Sequence, residues 1–233
     1  MFNRRQFIAA GSAAGAFGLA GAASAQAQFS IATGTTGGVY YPLGGAMANL
    51  LSKKVPGWAV TAEATAGSVA NMHMIRDGKV QMARTQCDTA YDAIKGLDKF
   101  KDKPVESRTL CVIYPNLVHF VTMEGTGINK LTDIKGKRIS TASPVSGSEV
   151  MALRIMDELG LKVSDIKRER LAPAESTNAM KDGKLDGYFF NGGPPVAAIT
   201  DLAATQGVKI KLIPNADMVP DLVKKFGPVF AKS

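Results

Sequence analysis

The chain has 233 residues, 45% hydrophobic and 21% charged, with a formal charge of +8. That length suits one large domain or two small lobes with a proper core. Its lysines and arginines are scattered, without a long basic run or interleaved aromatics, which argues against a nucleic-acid partner and leaves an anionic surface or an acidic ligand.

The first element is an export signal over residues 1–27. Arg4 and Arg5 stand in Asn3-Arg4-Arg5-Gln6-Phe7-Ile8, an Ala/Gly-rich apolar stretch runs from Ala9 to Ala22, and Ala23-Ser24-Ala25-Gln26-Ala27 follows. A basic head, an apolar middle and an A-x-A end make a secretory signal, and the paired arginines indicate the twin-arginine route for folded proteins. Cleavage is expected after Ala25 or Ala27. The stretch is too short and too small-residued to span a bilayer, which takes roughly 20 apolar residues. Removing Arg4 and Arg5 takes the charge from +8 to +6. No later apolar run has membrane-spanning length, so the mature protein is expected to be periplasmic and not membrane-inserted.

Behind the signal, Phe29–Thr33 predicts a strand that ends in the loop Gly34-Thr35-Thr36-Gly37-Gly38. A helix follows, with Leu43, Met47, Leu50 and Leu51 on one face. Val60, Ala62 and Ala64 alternate with polar residues as a second strand, and Ala66-Gly67-Ser68 opens a helix carrying Val69, Met72 and Ile75. Val80–Thr85 predicts a strand, Cys87–Ile94 a helix, and Leu110–Tyr114 and Val118–Met123 two more strands interrupted by Pro115 and Asn116. A second cycle then begins. Strands are expected at Ile139–Thr141, Ile166–Leu171, Gly187–Phe190 and Lys209–Ile213. Helices are expected from the loop Ala142–Gly147 to near Gly160, over Glu175–Asp182, and from Asn191-Gly192-Gly193-Pro194-Pro195 to Ala204. This alternation predicts an α/β fold with parallel sheets flanked by helices, in two lobes over 28–116 and 117–213, with 214–233 starting a return segment. Ligands in such folds collect at the carboxyl ends of strands, here in a cleft between the lobes.

The strand-to-helix loops therefore hold the candidate ligand-binding residues. In the first, Thr36, Gly37 and Gly38 allow close backbone approach to a ligand, and the next helix start favours a carboxylate or phosphate. No lysine follows the glycines as a P-loop requires, and G-x-G-x-x-G is missing. Of Tyr40 and Tyr41, one is expected to pack and one to face the cleft. Gly67 and Ser68 open the second helix. In the loop Ser143–Glu149, Ser146 and Glu149 form an S-x-x-E capping box, while Ser143, Ser146, Gly147 and Ser148 also make an anion cradle; the two roles are compatible. Gln86 and Asn191 are strand-end amides able to donate and accept. Alternation puts Arg84 on the face of Met82 and Gln86, where it reaches solvent or grips a carboxylate in the cleft.

Cys87 and Cys111 are expected as free thiols at strand edges, where a buried cysteine behaves as a small hydrophobe. His73 and His119 lack metal-ligand spacing to each other or to the cysteines, so no metal or cofactor is expected. G-x-S-x-G is missing, and neither histidine sits in a loop with a serine or cysteine partner, so the chain reads as a binding protein rather than an enzyme.

The run Ala32-Thr33-Gly34-Thr35-Thr36-Gly37-Gly38-Val39-Tyr40-Tyr41-Pro42-Leu43-Gly44 resembles the TAXI family of TRAP transporter receptors. So do Glu63-Ala64-Thr65-Ala66-Gly67-Ser68, Gln86-Cys87-Asp88-Thr89-Ala90-Tyr91, Asp133-Ile134-Lys135-Gly136-Lys137-Arg138, Ser146-Gly147-Ser148-Glu149, and Ala179 through Phe190. The resemblance implies a monomeric, two-lobed type II periplasmic binding protein that closes on a small carboxylate: an amino acid, a 2-oxoacid or a dicarboxylate. It also implies delivery to an ion-gradient-driven TRAP membrane permease. By position, the implied contacts are the Thr36–Tyr41 loop, Gly67, Ser68, Gln86, Ser146–Glu149 and Asn191. Arg84 and Thr85 stand where the family often has an apolar pair, which implies a different ligand preference. Family members usually continue beyond the position of Ser233, so exposed apolar surface is expected on the first lobe. Two other readings share these residues: a sensor that presents its ligand to a membrane signalling partner, and a non-functional truncated fragment.

Overall fold

The computed structural model describes residues 26–232, so the predicted twin-arginine signal up to Ala25 lies outside the described residues. Strand β1 (Ala27–Ala32) lies between β2 (Trp58–Glu63) and β3 (Met82–Ala83), parallel to both. Helix α1 (Tyr40–Lys54) links β1 to β2, α2 (Ser68–Arg76) links β2 to β3, and α3 (Cys87–Lys95) follows β3. The α1 face differs from the expected one: Gly44 and Ala48 are buried while Leu50 is 56% exposed. A Cβ on Gly44 would lie 2.3 Å from Thr33 Cγ2, so the helix approaches the sheet at its small residues, with Met47 and Leu51 of the expected face packed beside Ala48 and Leu50 turned outward. The expected strand Leu110–Tyr114 does not form; Leu110 and Val112 are 78% and 88% exposed. β3 is two residues long and pairs with β1 alone, and an alternating pattern without a partner strand makes no ladder.

The second sheet has the order β6-β5-β7-β4-β8, from β4 (Leu117–Met123), β5 (Arg138–Ser140), β6 (Lys167–Glu169), β7 (Gly187–Gly192) and β8 (Ile210–Leu212). Its helices are α4 (Gly147–Glu158), α5 (Pro173–Lys181), α6 (Ala197–Ala203) and α7 (Val219–Phe226). The expectation of all-parallel pairing is corrected here: β4 runs antiparallel to both β7 and β8. β4 arrives directly from the first lobe rather than through a crossover helix, so the rule that makes βαβ neighbours parallel does not act on it. Successive β4 residues feed opposite faces. Phe120 packs edge-on to Phe189 at 4.7 Å in a core with Ile139, Met151 and Ile155, while Val121 joins Tyr188, Met180 and Leu202 on the other face. Leu222 of α7 fills the first of these cores. Beyond it the chain reaches the first lobe, where the Cys87 thiol donates to the Val229 carbonyl at 3.4 Å. Both cysteines are free, as expected, but both are exposed rather than buried, because α3 begins at Cys87 and Cys111 falls in the unpaired stretch.

The lobes lie shut against each other. Val150 of α4 completes a cluster of Val69, Met72, Ala93, Phe100 and Val105 from the first lobe. Ala70 N–H donates to Val145 O at 3.0 Å, and Arg154 of α4 donates to Asp88 at 3.2 Å and Asp92 at 2.5 Å on α3. These groups are buried, so the ion cluster is a dry seam between the lobes.

Candidate functional site

Each lobe places an amide at the end of a strand and fixes it with a serine from a helix start. In the first lobe, Ser68 Oγ accepts from Gln86 N at 3.1 Å; in the second, Ser148 Oγ accepts from Asn191 N at 3.0 Å. The two amides meet across the cleft, Asn191 Nδ2 donating to Gln86 Oε1 at 3.2 Å. Gly147 makes this approach possible, since a Cβ there would lie 2.8 Å from Gln86 Cδ and 2.9 Å from Ser68 Oγ. Behind Gln86, the buried Asn71 donates to the carbonyls of Thr33 and Arg84, each at 2.6 Å, and accepts from Thr65 Oγ1 at 2.6 Å. It thereby ties β1, the β3 end and the loop before α2 together. Asn71 was missed in the sequence because it sits inside a helix pattern that reads simply as polar.

These elements enclose a cavity of about 460 Å³ including its mouth, lined by loops of both lobes. Among the candidates, Gly38, Tyr40, Gly67, Ser68, Gln86, Ser146, Gly147, Ser148 and Asn191 line it. Five do not. Thr36 is exposed outside the lining, and Gly37 sits in the lobe contact, where a Cβ on it would lie 2.9 Å from Ala174 Cβ. Tyr41 points outward and is 37% exposed, so of the tyrosine pair Tyr40 faces the cleft. Glu149 is held as a structural acid: Oε2 accepts from Val145 N at 3.0 Å and Oε1 from Arg168 and Arg170 at 2.7 and 2.6 Å. The cap half of the expected box is present, Glu149 N donating to Ser146 Oγ at 3.0 Å. Arg84 is buried beside α1 with its guanidinium directed at Met47 Sδ, outside the lining. β3 ends at Ala83, so strand alternation does not carry Arg84 to the side of Gln86.

Sequence reading also missed Tyr114, Phe190 and Pro173 in the lining. Tyr114 and Phe190 end segments that read as strands, and Pro173 lies just ahead of the helix expected to start at Glu175. In the cleft loop, Ala142 and Val145 have φ of 71° and 54°. For a β-branched residue this is a strained region, and such strain gathers at ligand loops.

Among the described residues, no charged side chain lines the cavity. Its polarity comes from helix starts: α1, α2 and α4, of 15, 9 and 12 residues, begin at it with Tyr40, Ser68 and Gly147. The N–H groups of Ser68, Gly147 and Ser148 have no protein acceptor among the described residues. First-turn amides of this kind carry partial positive charge and suit an anion. Burial pushes the Tyr40 hydroxyl up to about 12, against the bonds with Asn116 and Ser68 that favour its charged form, and pushes Tyr114 up as well. Both are therefore neutral hydroxyls. Tyr114 OH and Asn191 Oδ1 are buried without a hydrogen-bond partner. Among the described residues no group of three or more His, Cys, Asp or Glu side chains could hold a metal, and no helix is long and apolar enough to cross a membrane.

Solved structures share this architecture at low identity. The alkanesulfonate-binding protein from Xanthomonas axonopodis pv. citri bound to MOPS is similar with 19% identity over 81% of this chain and 61% of its own, at a TM-score of 0.53. A protein from Bordetella bronchiseptica RB50 is similar with 19% identity over 85% and 60%, at 0.56. An ancestral arginine-binding protein bound to arginine is similar with 15% identity over 81% and 79%, at 0.52. The chain thus spans about three fifths of the first two proteins. The fold is that of two-lobed periplasmic solute-binding proteins. The profile of the NMT1-like family matches residues 31–233, taking in every cavity-lining loop, and the chain belongs to the NMT1-like family.

Proposed function

We propose that the protein is an extracytoplasmic solute receptor, not an enzyme, that captures a small carboxylate between its lobes and passes it to a membrane transporter. One observation carries this reading: three helix starts, those of α2 and α4 with unpaired first-turn N–H groups, converge on a cavity that has serine hydroxyls and two amides but, among the described residues, no charged side chain. That arrangement holds an anion through oriented dipoles and offers no general base or metal for turnover. The solved neighbours are binding proteins, which supports the same reading. Delivery to an ion-gradient-driven TRAP permease rests on the TAXI-like motifs. Export rests on Arg4, Arg5 and the A-x-A end of the signal. Because β1 begins at Ala27, which pairs with Trp58, cleavage after Ala25 keeps the strand whole, and intact mass of the exported protein should place its first residue at Gln26.

Thermal unfolding with a panel of amino acids, 2-oxoacids and dicarboxylates tests the receptor reading. A ligand present at 1,000 times its Kd stabilises by about 4 kcal/mol. A raised midpoint with one carboxylate class supports the proposal; a midpoint that no member moves, with no binding by calorimetry, overturns it.

A further inference from the structure

The cleft contains two amides, and their pairing limits what can bind. In the observed orientation Asn191 Nδ2 gives one of its two N–H groups to Gln86 Oε1, which leaves Asn191 Oδ1 buried and unpartnered and Gln86 Nε2 without an acceptor among the described residues. If both amides are turned over, Gln86 Nε2 donates to Asn191 Oδ1, and the unpartnered groups become Gln86 Oε1 and Asn191 Nδ2. Either way this pair of cavity-lining amides keeps one unfilled oxygen and at least one unused donor. Asn191 is 7% exposed, so its acceptor has no easy recourse to bulk water, and leaving it unfilled beside a bound solute is costly.

The donor that fills this acceptor is further restricted by charge. Among the described residues no aspartate or glutamate lines the cavity. Asp88, the nearest acid in sequence to Gln86, is buried and engaged by Arg154. The helix starts of α1, α2 and α4 make the cavity electropositive, which repels an ammonium as it attracts a carboxylate. An ammonium there would be desolvated with only neutral amides and hydroxyls for company. A hydroxyl meets the same acceptor without that cost, and its own oxygen can take the amide donor.

We infer that the solute is a hydroxycarboxylate, its carboxylate on the helix starts and its hydroxyl between Gln86 and Asn191. This rests on the receptor reading above and narrows it, setting aside α-amino acids and plain dicarboxylates.

The test holds the carbon skeleton fixed and changes one group. Midpoints and calorimetric affinities are measured for propionate, lactate and alanine, and for succinate, malate and aspartate. The hydroxyl member of at least one series should bind at least about tenfold more tightly than both of its relatives, the worth of one buried hydrogen bond. Equal binding of the unsubstituted acid overturns the hydroxyl requirement and leaves the receptor reading standing. Preference for the amino member overturns the exclusion of ammonium. Binding by another carboxylate while all six fail also overturns the inference alone; failure of every carboxylate overturns both. Asn191→Leu, which removes the acceptor, should bring the hydroxyl and unsubstituted members to within about twofold. Asn191→Asp keeps the shape and adds a charge, and should reverse the order in favour of the amino member. An unchanged hydroxyl preference in both variants overturns the assignment of Asn191.

Discussion

At the scale of the residue, glycines decide how closely the parts of the cleft approach. Gly147 stands where a Cβ would lie 2.8 Å from Gln86 and 2.9 Å from Ser68, and both neighbours are buried and hydrogen-bonded. Gly147→Ala must therefore separate the lobes or displace Gln86. It is expected to abolish the ligand-induced rise in midpoint and to cost roughly 1–3 kcal/mol of stability. Gly45 is the contrast: it is exposed in α1 with nothing within 4 Å of an added Cβ, and Gly45→Ala should stabilise by about 0.5–1 kcal/mol with the ligand response intact. Denaturant titration of both variants, with and without ligand, checks the pair. Sequence reading picked out the small residues of these loops because glycine and serine at helix starts have few other uses. It could not show which of them touch, because Gly147 and Gln86 are 61 positions apart and belong to different lobes.

At the scale of the element, α3 and α4 carry the one buried ionic seam seen between the lobes among the described residues. Arg154 serves two carboxylates, Asp88 and Asp92, with Asp98 at 3.7 Å. Burial pushes both Asp88 and Asp92 up, only partly offset by Arg154. Removing the arginine leaves two buried acids unpaired, so Arg154→Met is expected to destabilise by about 3–5 kcal/mol. Asp88→Asn acts in the other direction. An acid whose folded pKa is raised contributes stability at low pH and loses it as pH rises above the unfolded value of 3.8. The variant should therefore gain on the wild type as pH goes from 4 to 7. Chemical unfolding across that range measures both. In the sequence Asp88 reads as an ordinary helix-start charge, and Arg154 lies in a helix with nothing to mark it. Their pairing appears only when α4 packs on α3.

At the scale of the molecule, the second sheet sets a pH limit through β4. Burial lowers the pKa of His119, and that of His73 moves the same way for the same first cause. A base whose folded pKa is depressed keeps its stabilising contribution above the unfolded value of 6.5 and loses it as pH falls, since the unfolded chain takes up the proton more readily. Between pH 7.5 and 5.5 this contribution opposes that of Asp88 and Asp92, so His119→Gln should gain midpoint relative to the wild type as the pH falls. A variant whose midpoint follows pH as the wild type's does would place the effect elsewhere.

The sequence by itself determined the α/β alternation, most element positions and the loops that line the cavity. These are local properties: periodicity, capping and turn residues act within a few positions along the chain. Only the tertiary structure decided that β4 runs antiparallel to its neighbours and that Leu110–Tyr114 pairs with nothing. The same holds for Arg84 lying behind the cavity and for Gln86 and Asn191 meeting across it. Each of these depends on which distant segments come together, and a strand pattern, a buried cation or an amide has no fixed partner until the lobes close.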